Sequence, residues 1–113
     1  TVVKDEVVVT FLPIAPVALA ASNVETRNLT ANWERVENAQ FYQLEVSTDE
    51  EFESLVPGYE SADVGISTSH VITGLSPGTD YFYRVRAKVN NLMSAASHTI
   101  STTTYLSCCV RVN

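Results

Sequence analysis

An all-β chain, folded as a seven-stranded sandwich, is what this sequence predicts, and three observations carry that reading. Short Thr/Val/Ser-rich runs dominate the chain, and no long 3.6-residue apolar period occurs. Gly and Pro are sparse, four of each, and most sit where the apolar pattern breaks. Several runs alternate apolar and polar residues, so each presents one apolar face, and two sheets packed face to face bury all of those faces together.

In chain order, residues 1–12 contain the strand-like run Val7-Val8-Val9-Thr10-Phe11. They are expected to be a linker or N-terminal extension, or the last strand of a preceding unit, packed on something. Pro13 and Pro16 mark an edge or the start of a sheet, because proline lacks an amide donor. Val17–Ala21 reads as a first strand with Leu19 in the core. Leu29, Ala31 and Trp33 then face one way, and Thr30, Asn32 and Glu34 the other. Tyr42, Leu44 and Val46 repeat the inward pattern. Thr48 to Glu53 is acidic and turn-like. A weak edge strand from Tyr59 to Val64 follows Pro57-Gly58, and a short strand spans Ser69 to Thr73. After the turn Gly74 to Asp80 comes the longest strand, Tyr81 to Lys88. There Tyr81, Tyr83, Val85 and Ala87 point inward, and Phe82, Arg84, Arg86 and Lys88 outward. Residues 89–98 read as a polar loop and Thr99 to Thr104 as the final β-branched strand.

The length of 113 residues gives one domain, because two cores of half that size would bury too little apolar surface. An apolar share of 45% with 18% charged residues is ordinary globular usage and argues against disorder. No apolar run is long enough for a membrane-spanning helix, so no membrane insertion is expected. A net charge of −6 argues against nucleic acid as a partner. The chain starts at Thr1, which suggests processing or excision from a longer parent, and no signal peptide is visible. Cys108 and Cys109 are adjacent, a poor geometry for an internal disulfide. They read as free thiols in a C-terminal tail (105–113), or as partners for another chain or a missing part of the parent.

Four features resemble the fibronectin type III family. Pro13 and Pro16 precede Leu19; Trp33 ends the second strand; Tyr42 starts the third after Asn38-Ala39; and Leu75-Ser76-Pro77-Gly78-Thr79-Asp80-Tyr81 leads into Tyr83-Arg84-Val85-Arg86-Ala87. The last is the most specific, being similar to the family's corner turn and the strand after it. The resemblance covers about 13–104 and implies an immunoglobulin-like β-sandwich of fibronectin type III topology. Its expected core comprises Leu19, Leu29, Trp33, Tyr42, Leu44, Leu75, Tyr81, Tyr83 and Val85. Tyr81 is expected to bury its ring while its hydroxyl reaches back to the turn backbone. Members often sit in tandem or beside catalytic domains. That implies a non-catalytic spacer or interaction module of a larger, extracellular or cell-surface protein, with neighbouring domains of the parent as partners.

No catalytic, metal or cofactor site is expected. Asp49, Glu50, Glu51 and Glu53 read as a solvated loop, since Phe52 interrupts them and no glycine-turned calcium loop is present. His70 and His98 lack a nucleophile or a ligand set at suitable spacing. Arg84, Arg86 and Lys88 form an outward basic row that Glu45 on the neighbouring strand could pair; an anion-binding strip is the other reading. The alternative function is a dedicated carbohydrate- or protein-binding domain. It would use the 89–97 loop, with Leu92 and Met93 at an exposed tip, or exposed aromatics such as Phe82, Phe41, Tyr59 and Tyr105. Asn28-Leu29-Thr30 also matches a glycosylation sequon.

Overall fold

The computed structural model describes residues 13–106. Cys108, Cys109 and the apolar run within 1–12 lie outside them. The strands are β1 (Ala18–Ser22), β2 (Leu29–Trp33), β3 (Phe41–Ser47), β4 (Leu55–Asp63), β5 (Ser69–Ile72), β6 (Asp80–Val89), β7 (Leu92–Met93) and β8 (Ile100–Thr103). One sheet has the order β1-β2-β5 and the other β4-β3-β6-β7, with β8 also on β6; every pairing is antiparallel. Lys88 faces Phe41 on one side and Met93 on the other, while Tyr83 faces Val46 and Ile100. β7 and β8 are therefore two pieces of one interrupted edge, and the eight segments fill seven strand positions.

The alternation read from the sequence places the core. Leu29, Ala31 and Trp33 of one sheet meet Tyr42, Leu44, Val46, Tyr81, Tyr83, Val85 and Ala87 of the other, all buried, with Ile72 and Leu75 closing the cluster. The Trp33 and Tyr42 rings meet tilted, with centroids 5.6 Å apart, a geometry aromatic quadrupoles favour. Three tyrosine hydroxyls then tie core to backbone. Tyr81 accepts the Ser76 N–H at 2.8 Å, the expected corner. Tyr42 accepts the Val36 N–H at 2.8 Å and holds the 34–40 loop. Tyr83 donates across the sandwich to the Leu19 carbonyl. Burial holds the Tyr83 phenol above its ordinary pKa.

Three expectations are corrected. Leu19 is exposed, and Ala18 is the buried residue of β1. Register explains this: Ala18 lies opposite the inward Trp33, and Leu19 opposite the outward Asn32. A small residue fits over the indole, and the period of two then sends the leucine out. Second, β4 begins at Leu55 rather than Tyr59 and runs through Pro57 and Gly58. It is an edge strand, where a missing amide need not cost a rung. The pairing steps from Glu45↔Glu60 to Ser47↔Leu55, so a bulge absorbs the extra residues. Third, 89–98 is not loop throughout: Leu92–Met93 pairs with β6 as β7, and the chain leaves regular strand structure only from residue 94 on. Only Asn90 and Asn91 form the turn, both with left-handed φ, of 52° and 64°. A two-residue hairpin needs φ > 0 at both positions, which asparagine tolerates well.

Candidate functional site

Between β7 and β8 the chain leaves regular pairing, yet β6 stays satisfied. The Ser94 N–H donates to the Ala87 carbonyl at 2.8 Å, and the Ser94 hydroxyl accepts the Ala87 N–H at 2.9 Å. Ser97 repeats this on Val85, at 2.8 and 3.0 Å. Three steps along the edge thus span two along β6, and two buried hydroxyls stand in for main-chain carbonyls. This places the predicted contact residues: Leu92 is exposed and Met93 half-buried, both on a paired strand beside the Asn90-Asn91 turn, not at a loop tip.

The acidic stretch closes on itself. One Asp49 oxygen, Oδ1, accepts the Ser47 hydroxyl at 2.6 Å, the Ser54 N–H at 2.8 Å and the Glu53 N–H at 3.0 Å. The Ser47 hydroxyl, then the Ser54 amide, holds this carboxyl below its ordinary pKa. Phe52, which looks in the sequence like an interruption, is the buried residue of the loop and sits with a left-handed φ of 58°. Among the described residues, no three His, Cys, Asp or Glu side chains are placed to share a metal ion.

On the outer face of β3 and β6, cations and aromatics interleave. Arg84 Nε lies 2.6 Å from Glu45 Oε1, and its guanidinium stacks 4.1 Å above the Phe52 ring centroid. Arg86 is 4.0 Å from the same Glu45 oxygen. The Lys88 ammonium lies 5.5 Å from the Phe41 ring centroid. The aromatics named as a stacking surface are not brought together. Phe41 starts β3, whereas Phe82 pairs with Ser47 at its end, about 20 Å along the sheet. Tyr59 packs edge-on to His70, and the backbone of Tyr105 bonds Glu25 and Gly78 at the far pole.

Tyr59 and His70 join the free margins of the two sheets. The Tyr59 hydroxyl and His70 Nε2 are 3.4 Å apart, and the ring centroids 5.8 Å. Burial lowers the His70 pKa below its ordinary 6.5. A depressed folded-state pKa gives stability that is present above 6.5 and lost as the pH falls through the folded value. Comparing the wild type with His70→Gln by urea titration at several pH values should show the two curves converging below that pH. Parallel curves would show that His70 titrates as it does in the unfolded chain.

A shallow groove of about 210 Å³ lies at the opposite pole from Tyr105, between Ile14–Val17 and Glu34–Glu37. Its lining is mostly apolar, with Glu34, Arg35 and Glu37 as the charged residues. No helix among the described residues is long and apolar enough to cross a membrane.

The sequence profile of the purple acid phosphatase N-terminal domain matches residues 4–104. The chain belongs to that family. Solved structures similar to this family member show the fibronectin type III fold. A human fibronectin type III domain is 23% identical with a TM-score of 0.67, the match covering 86% of this chain and 77% of that one. A fibronectin type III-like protein from Clostridium thermocellum is 24% identical with a TM-score of 0.68, over 80% and 92% of the two chains. A β-1,2-glucanase from Parabacteroides distasonis is 25% identical with a TM-score of 0.65 over 84% of this chain, a match that takes up 14% of the glucanase. No curated protein matches the sequence.

Proposed function

We propose that this domain is a non-catalytic module of a larger, secreted or cell-surface protein, where it spaces or docks a neighbouring domain. The observation that carries the reading is the family match along 4–104, to a unit defined as one domain of a phosphatase. The glucanase supports it, since a similar unit there accounts for 14% of a long enzyme chain. Side-chain chemistry points the same way. The Asp49 carboxylate, the Tyr42, Tyr81 and Tyr83 phenols and the Ser94 and Ser97 hydroxyls are all spent on backbone groups of their own fold. A carbohydrate-binding role is the second reading; it draws on the likeness to the glucanase and on the half-buried Phe82.

Two measurements test the first reading. An antibody to this domain, applied to cell and medium fractions, should detect a native species far heavier than the 12.4 kDa chain in the medium or surface fraction. The purified chain should hydrolyse p-nitrophenyl phosphate no faster than buffer. A native species the size of the chain, or turnover that follows the chain through purification, would overturn it. Calorimetric titration with β-1,2-glucan decides the second reading, which requires saturable heat.

A further inference from the structure

We propose that the outer face of β6 is a docking strip for an acidic polypeptide segment of a partner protein. This rests on the reading of the domain as a non-catalytic interaction module. Three of the chain's seven Lys and Arg residues, Arg84, Arg86 and Lys88, stand on alternate positions of one strand in a chain of net charge −6. They span about 14 Å. The strip is central in its sheet, bounded by β3 on one side and the interrupted edge on the other, so a partner meets side chains rather than a free backbone edge.

Glu45 is the carboxylate inside the strip, and both of its oxygens are engaged. Oε1 takes Arg84 at 2.6 Å and Oε2 accepts the Ser61 hydroxyl at 3.2 Å. Arg86, at 4.0 Å, gets only the margin of that charge, and its side chain is 35% exposed. Lys88 makes no ion pair with another described residue and lies against the Phe41 ring. Glu60, which pairs with Glu45 on β4, turns its carboxylate to the Gly58 N–H at 3.1 Å. Among the described residues the strip therefore keeps a positive end at Arg86 and Lys88 that the Glu45 charge covers only at its margin, backed by Gln43 and Phe41.

Two features favour a polypeptide over an acidic polysaccharide. Sugars bind sheets by stacking on open aromatic faces, and here Phe41 and Phe52 already have cations over them. Alternate side chains of an extended peptide recur about every 7 Å, the same interval as the β6 cations. Carboxylates at that interval can meet Arg86 and Lys88 in register, with Arg84 held rigid between Glu45 and Phe52 as the strip's fixed end.

The test is binding of poly-L-glutamate to the 113-residue chain, followed by calorimetry or anisotropy at low salt, with heparin and polylysine as comparison probes. Saturable binding of polyglutamate is expected. It should weaken about tenfold in Arg86→Gln/Lys88→Gln, since two partly exposed charge pairs contribute about that much. It should vanish near 0.5 M NaCl, where the screening length is much shorter than the strip. Arg27→Gln, away from the strip, should bind as the wild type does. Circular dichroism and urea melting of the double variant should match the wild type, which separates lost docking from lost folding. No polyglutamate binding, binding that the double variant retains, or binding of heparin alone would each overturn the proposal. Any of these would leave the native-mass result, and so the module reading, standing.

Discussion

Replacing Trp33 with alanine is expected to destabilise the domain by about 3–5 kcal/mol, the range for deleting a large aromatic from a packed core. Trp33 is 2% exposed, packs against Tyr42 and ends β2, where its N–H bonds the Thr68 carbonyl at 3.0 Å. The sandwich has few other side chains of that volume. Ala18, directly opposite, is too small to fill the space, so collapse cannot recover much of the lost contact. Urea titration followed by tyrosine fluorescence measures the loss, and a value below about 1 kcal/mol would show that Trp33 is not the anchor. Trp33→Phe separates two contributions. The indole Nε1 is buried without a hydrogen-bond partner among the described residues, and an unpaired buried donor carries a desolvation penalty of about 1–3 kcal/mol. Phenylalanine removes that donor while keeping most of the aromatic surface. The phenylalanine variant should therefore lie much closer to the wild type than to the alanine variant. A loss equal to that of alanine would mean that indole shape, rather than buried aromatic area, holds the site.

What could be read from the sequence followed how each residue meets its environment. In β2, β3 and β6 one face is buried and the other wet, so strict alternation reported both the strand and its orientation. The Tyr81 corner was legible because a Pro-Gly turn and an inward tyrosine five residues past Ser76 leave the hydroxyl few partners. The Glu45–Arg84 pair followed from adjacent strands with outward residues of opposite sign. Leu19 failed because apolarity alone does not say which face a residue takes. In a run such as Ala18-Leu19-Ala20 the decision belongs to the partner strand, where Trp33 claims the interior. Phe52 failed for the converse reason: four acids around it look like solvent, and only a left-handed turn brings one ring back beneath Arg84. The residues singled out carry the likeness to fibronectin type III units, and the phosphatase N-terminal family enters only through the profile match over residues 4–104.

The serine edge is the feature least visible in the sequence, because Ser94-Ala95-Ala96-Ser97 resembles any small polar loop. Its energetics differ from a loop's. A serine that only faces water can be changed to alanine within about 0.5 kcal/mol. Here each hydroxyl is the acceptor for a buried amide of β6, and removing it strands that donor at about 1–3 kcal/mol. Ser94 and Ser97 serve separate rungs, on Ala87 and Val85, so the two losses should nearly add. Ser94→Ala/Ser97→Ala is expected to cost about 2–5 kcal/mol, second only to Trp33→Ala. Amide hydrogen exchange gives the sharper readout. In the double variant the Val85 and Ala87 amides should exchange much faster, while Glu45, opposite Arg84 in the β3–β6 ladder, should slow or quicken only with global stability. Equal acceleration at all of these positions would mean that the hydroxyls contribute bulk stability and not local closure of the edge. The segment between β7 and β8 is short and carries no regular strand pairing, so its grip on the sheet rests on Ser94 and Ser97, each through one main-chain N–H and one hydroxyl. Loss of both hydroxyls leaves only the two main-chain bonds and so loosens one side of β6, exposing more often a strand edge of the kind that pairs with other chains. The double variant is therefore expected to self-associate as well as to unfold more easily, which light scattering below the unfolding midpoint would detect.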